Sequence, residues 1–91
     1  MTLIVSPQAA QLLLELMLAA DVPRGGGLRI RVDDRYDSLS ISLSAAPEPT
    51  DAVVQGPAGS LVFLSPGSAR RLSRSTLEAD NGPTGTAFYL S

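Results

Sequence analysis

Leu28-Arg29-Ile30-Arg31-Val32-Asp33-Asp34-Arg35-Tyr36-Asp37-Ser38-Leu39-Ser40-Ile41-Ser42-Leu43-Ser44 alternates apolar and polar residues on either side of a polar centre. A period of two marks a strand with one face buried and the other wet. Residues 28–32 and 39–44 therefore read as two half-buried strands, with Leu28, Ile30 and Val32 turned inward. The outer face is Arg29, Arg31, Ser40, Ser42 and Ser44, read as a wet surface with no further role. Asp33 to Ser38 supplies the polar turn of a hairpin.

Working toward the N-terminus, Gly25-Gly26-Gly27, Pro23 and Asp21 are stop signals for a helix. That helix starts at Ser6-Pro7, where Ser caps free amides and Pro fits the first helical position. Ala9, Leu12, Leu13, Leu16, Met17 and Ala20 follow the i, i+3, i+4 rhythm, so the helix is expected from Pro7 to about Ala19. Thr2 to Val5 reads as a short strand. Toward the C-terminus, Ala45 to Thr50 is a loop containing Pro47 and Pro49. Asp51–Gln55 and Ser60–Leu64 are strands joined by a turn at Gly56–Gly59. Ser65-Pro66 repeats the cap-then-proline signal before a short helix from Gly67 to about Leu72. Thr76–Ala79 reads as an edge strand, Gly82, Pro83 and Gly85 as a turn, and Thr86–Leu90 as a last strand. Many short strands with one substantial helix predict a β-rich α+β domain.

Composition removes whole classes of chemistry. The 91 residues suit one domain. There is no Cys, His or Lys, and all seven basic residues are Arg. Thiolate nucleophiles, disulfides, cysteine-bound clusters, imidazole bases and Schiff bases are therefore excluded. A net charge of −2 gives no reason to expect nucleic acid as a partner. The apolar run Ala9–Ala20 is broken by Gln11 and Glu15 and is short of the ~20 residues of a bilayer span. With no basic leader before it, no membrane association and a cytoplasmic location are expected.

The order of these segments resembles the HesB/IscA-like A-type iron–sulfur carriers, the iron–sulfur biogenesis core domain. The resemblance runs through Ser6-Pro7-Gln8-Ala9-Ala10 and its leucine-rich helix, Gly27–Val32, Leu39–Leu43 and Asp51–Val54. It continues through Gly59-Ser60-Leu61-Val62-Phe63-Leu64-Ser65-Pro66-Gly67-Ser68-Ala69, then Leu72 and Leu77-Glu78. Gly85-Thr86-Ala87-Phe88-Tyr89-Leu90 resembles the family's "G-x-G-F-x-F" strand. The resemblance implies one HesB-like domain over residues 1–91. Its form would be a small β pseudo-barrel or sandwich with one N-terminal α-helix and a short second helix. The family carries a Cys in a "G-C-S-G" turn and a terminal "C-G-C". Here the turn is Arg35-Tyr36-Asp37-Ser38, with Tyr36 at the cysteine position, and the chain ends at Ser91, where the second motif would begin. No cluster ligand carries over, and no cofactor is expected.

Other candidate sites are fewer. Asp33, Asp34 and Asp37 form an acidic cluster, with Asp34 and Asp37 the candidate oxygen ligands for a metal ion. Tyr36 would join them if the ion were iron. The spacing lacks the glycine and distal glutamate of a calcium loop, and Arg35 interrupts it, so a polar hairpin turn is the simpler expectation. Gly25–Gly27 lacks the strand before and the helix after that a phosphate cradle needs. The serines have no histidine or lysine to activate them. Arg70, Arg71 and Arg74 are the candidate partner-binding residues, against the alternative of a solvated helix end. The expectation is a non-enzymatic, protein-interacting or modulatory HesB-like domain. Its partners would be iron–sulfur assembly components or a second copy of the chain. The alternative is a metal-ion or small-molecule module built on the Asp33–Asp37 turn.

Overall fold

The computed structural model describes residues 2–33, 35 and 38–91. In chain order the elements are β1 (Ile4–Val5), α1 (Pro7–Ala19), β2 (Gly27–Asp33), β3 (Ser38–Ser44) and β4 (Ala52–Gln55). A 3-10 turn at Pro57–Gly59 leads to β5 (Leu61–Leu64), α2 (Pro66–Arg71), β6 (Thr76–Gly82) and β7 (Gly85–Leu90).

The strands form two sheets. One has the order β3-β2-β5-β4, with β2 antiparallel to β3 and parallel to β5. The other has the order β1-β6-β7, in which β1 runs parallel to β6. The strand expected at an edge, β6, is thus the centre of its sheet. A four-residue reading ending at Ala79 missed its continuation through Asp80-Asn81-Gly82, which pairs residue for residue with Gly85-Thr86-Ala87. Gly85, at φ +118°, supplies the positive φ that lets so short a turn close.

α1 begins as its sequence dictates. Ser6 is extended and its Oγ accepts a hydrogen bond from the Ala9 N–H at 3.1 Å, while Pro7 follows at the first helical position. The helix buries Ala9, Ala10, Leu12 and Leu13 and packs mainly on β6. The core lies between α1 with the small sheet on one side and the inner face of the large sheet on the other. Leu13, Leu28, Ile30, Val62 and Leu77 are fully enclosed there. Each such side chain contributes about 1.5–3 kcal/mol relative to remaining exposed.

Two contacts fix how the pieces meet. Gly27 begins β2 hard against β5, where a Cβ would collide with the Leu61 carbonyl oxygen. Ser68, buried in α2, accepts from the Val32 N–H at 2.9 Å and shares a 2.8 Å hydrogen bond with the Ser65 hydroxyl. Ser65, expected to cap α2, makes no side-chain bond to a helix amide and is bonded to Ser68 instead. Among the described residues, no helix is long and apolar enough to cross a membrane.

Candidate functional site

The β2–β3 hairpin pairs in full register from Gly27 opposite Ser44 to Asp33 opposite Ser38. At its tip the Arg35 N–H donates to Asp33 Oδ1 at 2.9 Å, the aspartate-to-backbone turn expected of this sequence. Asp34, Tyr36 and Asp37 lie outside the described residues. Beside the tip is an open hollow of about 480 Å³ lined by Arg31, Val32, Asp33, Arg35, Ser38 and Ser40. Among the described residues, no group of three or more acidic side chains converges.

At Arg29 the outer face of β2 is not the wet surface its alternation suggests, whereas Arg31 on the same face is exposed as expected. Arg29 is 8% exposed. Its Nη1 lies 2.8 Å from Asp51 Oδ2, and its Nη2 donates to the Ala46 carbonyl at 3.4 Å. The Asp51 side chain is almost wholly buried, and its Oδ2 also accepts from the Glu48 N–H at 2.8 Å. Nη1 makes no well-aligned hydrogen bond, so the contact with Asp51 is held by charge and proximity. Beside it, Arg31 donates to Glu48 Oε1 at 3.2 Å in the open. The loop expected at Ala45–Thr50 therefore folds back over the sheet. Phe63, the cross-strand neighbour of Arg29, is fully buried and stands apart from the main core. This covered patch went unread in the sequence. The available signal was Asp51 and Glu48 bracketing Pro49, within reach of an arginine strand.

Arg70 and Arg71 occupy the last turn of α2 and Arg74 follows it; all three are exposed. They sit where the helix dipole favours cations. Arg70 borders a shallow hollow of about 200 Å³ with Leu3, Ala52, Val54, Leu64 and Ser73.

A further groove, absent from the sequence reading, opens where the two sheets part. It measures about 360 Å³ and is lined by Leu16, Leu28, Ile41, Leu43 and Phe88, with Ser42, Thr86 and Ala87 at its rim. Ile41 and Leu43 are only half-buried and Leu39 is 41% exposed. The inward face of β3 is thus less covered than that of β2, because β3 is an edge strand.

No protein-family model and no curated protein matches the chain. Among solved structures, the crystal structure of IscA with its 2Fe–2S cluster matches with a TM-score of 0.74 and 26% sequence identity. The match covers 98% of this chain and 83% of that one. The chain has an IscA-like fold. The HesB-type sandwich expected from the sequence is the one observed, with two helices and two sheets. This chain of IscA-like fold contains no cysteine and so offers no thiolate to a cluster. The donors it does offer do not suit an iron–sulfur cluster. It has neither sulfur nor imidazole ligands beyond two methionine thioethers. The described carboxylate of the hairpin tip, Asp33, is already bonded within its own turn.

Proposed function

We propose that this chain is a non-enzymatic, cytoplasmic IscA-like domain that does not ligate a cluster and acts by binding other proteins in iron–sulfur assembly. One observation carries the reading: an IscA-like fold over nearly the whole chain is combined with a sequence free of cysteine and histidine. A fold can outlast its site, because chemistry resides in side chains and not in topology. What remains for such a domain is shape and surface. Arg70, Arg71 and Arg74 are suited to an acidic partner, since guanidinium groups bind carboxylates through paired hydrogen bonds.

The test has two parts. The purified protein is mixed anaerobically with ferrous iron and sulfide, desalted, and its visible spectrum and iron content are measured. No absorbance band and no retained iron are expected; a stoichiometric cluster would overturn the proposal. Affinity capture from the native cell, with mass spectrometry, is expected to recover a scaffold or sulfur-mobilising protein. Replacing Arg70, Arg71 and Arg74 by Glu should release it. Recovery that is indifferent to the charge reversal would remove the arginines from the partner surface.

A further inference from the structure

The two sheets leave a gap between β1 and β4. β1 is an outer strand of the small sheet and β4 an outer strand of the large one, and no hydrogen-bonded ladder joins them. A trough of about 390 Å³ runs between them, with Ile4 on one rim and Val53 on the other. It meets the hollow of about 200 Å³ beside Arg70, since Thr2, Leu3 and Val54 line both. At the far end the edges touch: a Cβ on Gly56 would lie 2.9 Å from the Cβ of Val5. The trough is therefore apolar and pinched at one end and cationic at the other.

Ile4 and Val53 are 58% and 47% exposed, and two bare aliphatic side chains along one trough form a patch where scattered ones would not. Both edges also carry backbone groups without sheet partners. The Ile4 and Ser6 N–H groups donate to the Ser75 and Leu77 carbonyls at 3.1 and 3.0 Å, so Leu3 and Val5, which alternate with them, turn theirs away from β6. β4 pairs with β5 alone, which leaves its other side open. The cationic end is uncompensated. Among the described residues no acidic side chain lines either hollow, and Arg70 and Arg74 form no ion pair with a described carboxylate.

Building on the proposed protein-binding role, we infer that this trough takes an extended peptide segment of a protein partner, apolar at alternate positions and acidic where it reaches Arg70. An added strand draws its affinity from main-chain hydrogen bonds and its selectivity from pockets for alternate side chains. The β4 edge spans four residues, about 13 Å of extended chain, and sets the length of the segment held. Its inward side chains cover Leu3 and Val54, and a carboxylate beyond them pairs with the Arg70 guanidinium. A fatty acid would also satisfy the apolar walls and Arg70, but it would leave the strand edges unpaired, which favours a peptide.

The probe is a display library of random heptapeptides selected against the purified protein. Enriched peptides are expected to alternate apolar residues and to carry Asp or Glu at one end; enrichment of nothing, or of basic peptides, would overturn the proposal. The strongest peptide is synthesised with a fluorophore and titrated by anisotropy. Positions 4 and 70 are exposed, so Ile4→Lys and Arg70→Glu are expected to melt with the parent. Arg70→Glu is expected to weaken binding at least about tenfold, the least that a hydrogen bond to a charged group contributes. Ile4→Lys, which removes one apolar rim, is expected to weaken it at least about threefold. Amide shifts on binding are expected at residues 2–5 and 52–56. Full affinity in both variants, or shifts confined to β3, would refute the trough. Decanoate at equal concentration is expected not to displace the peptide, and decanoate that binds more tightly than every selected peptide would overturn the peptide assignment. Peptide binding by a protein that captures no assembly component from the cell supports the trough while removing the assembly role. Capture of such a component undiminished by Ile4→Lys refutes the trough and leaves the assembly role standing.

Discussion

Removing the carboxylate of Asp51 tests whether the outer face of the large sheet is a true interior. Asp51 Oδ2 lies 2.8 Å from Arg29 Nη1 and accepts the Glu48 N–H, while both side chains are at most a tenth exposed. Asp51→Ala leaves the Arg29 guanidinium buried with the long contact to Ala46 and a 3.9 Å approach by Glu48. Stripping one partner from a buried pair costs about 3–5 kcal/mol. Glu48 is 57% exposed and can follow the orphaned charge, which favours the lower end, about 3 kcal/mol. For a domain with about 5–14 kcal/mol of stability that is a large fraction, and it corresponds to a fall of about 12–24 °C in Tm. Glu48→Ala removes the exposed bridge to Arg31 and the 3.9 Å approach to Arg29, leaves the Asp51 contact in place, and is expected to cost no more than about 1 kcal/mol. Replacing both buried charges, Arg29→Met with Asp51→Leu, leaves no isolated ion and is expected to recover most of the loss. Urea titrations and calorimetry on the four proteins give the numbers. If Asp51→Ala costs no more than Glu48→Ala, the loop does not seal this face and the pair is a surface bridge.

The remaining expectations rest on single contacts. Ser68→Ala leaves the Val32 N–H without its acceptor and is expected to cost about 1–3 kcal/mol in urea unfolding, whereas Ser73→Ala is expected to be near neutral; equal effects would remove Ser68 from the α2–β2 joint. Gly27→Ala drives a methyl into the Leu61 carbonyl and is expected to lower stability by about 1–3 kcal/mol; an unchanged melt would mean β2 and β5 are free to separate. Tyr89 is held above its usual pKa of 10.0, first by the neighbouring Asp80 carboxylate, then by burial, Glu78 and a hydrogen bond to Asp80. The fold favours the neutral phenol, so this contribution is complete below about pH 10 and is lost as pH rises through the folded value. In a Tyr36→Phe background, Asp80→Asn is expected to move the ultraviolet phenolate titration to lower pH, and an unmoved curve would rule out the Asp80 field as the cause.

Most of the fold was legible because local signals agreed with one another. The Ser6-Pro7 cap, the apolar rhythm to Met17 and the glycine stop give α1 with the observed bounds, and the alternation of 28–44 gives the hairpin. Alternation reports only which residues share a face, and it is silent about what later covers that face. Arg29 and Phe63 look like one exposed and one buried residue in sequence. They are cross-strand neighbours on the same side of the sheet, brought under cover by a proline-bearing loop whose path depends on long-range contacts. β6 was shortened for a similar reason. Asp80, Asn81 and Gly82 have weak strand preference, and their pairing with β7 outweighs it.

The candidate sites divide along the same line. What could be read without a structure was negative chemistry: thiolate and imidazole are the ligands that hold iron–sulfur clusters, and a sequence without cysteine or histidine rules out a cluster bound by either, wherever the chain folds. The positive features are products of topology. Leu39, Ile41 and Leu43 alternate as regularly as Leu28 and Ile30, yet the second pair is enclosed and the first remains half-open. The difference arises because β2 lies between two strands, whereas β3 ends its sheet beside a groove that β7 does not close. Burying the same alternating pattern on both strands would need one more strand.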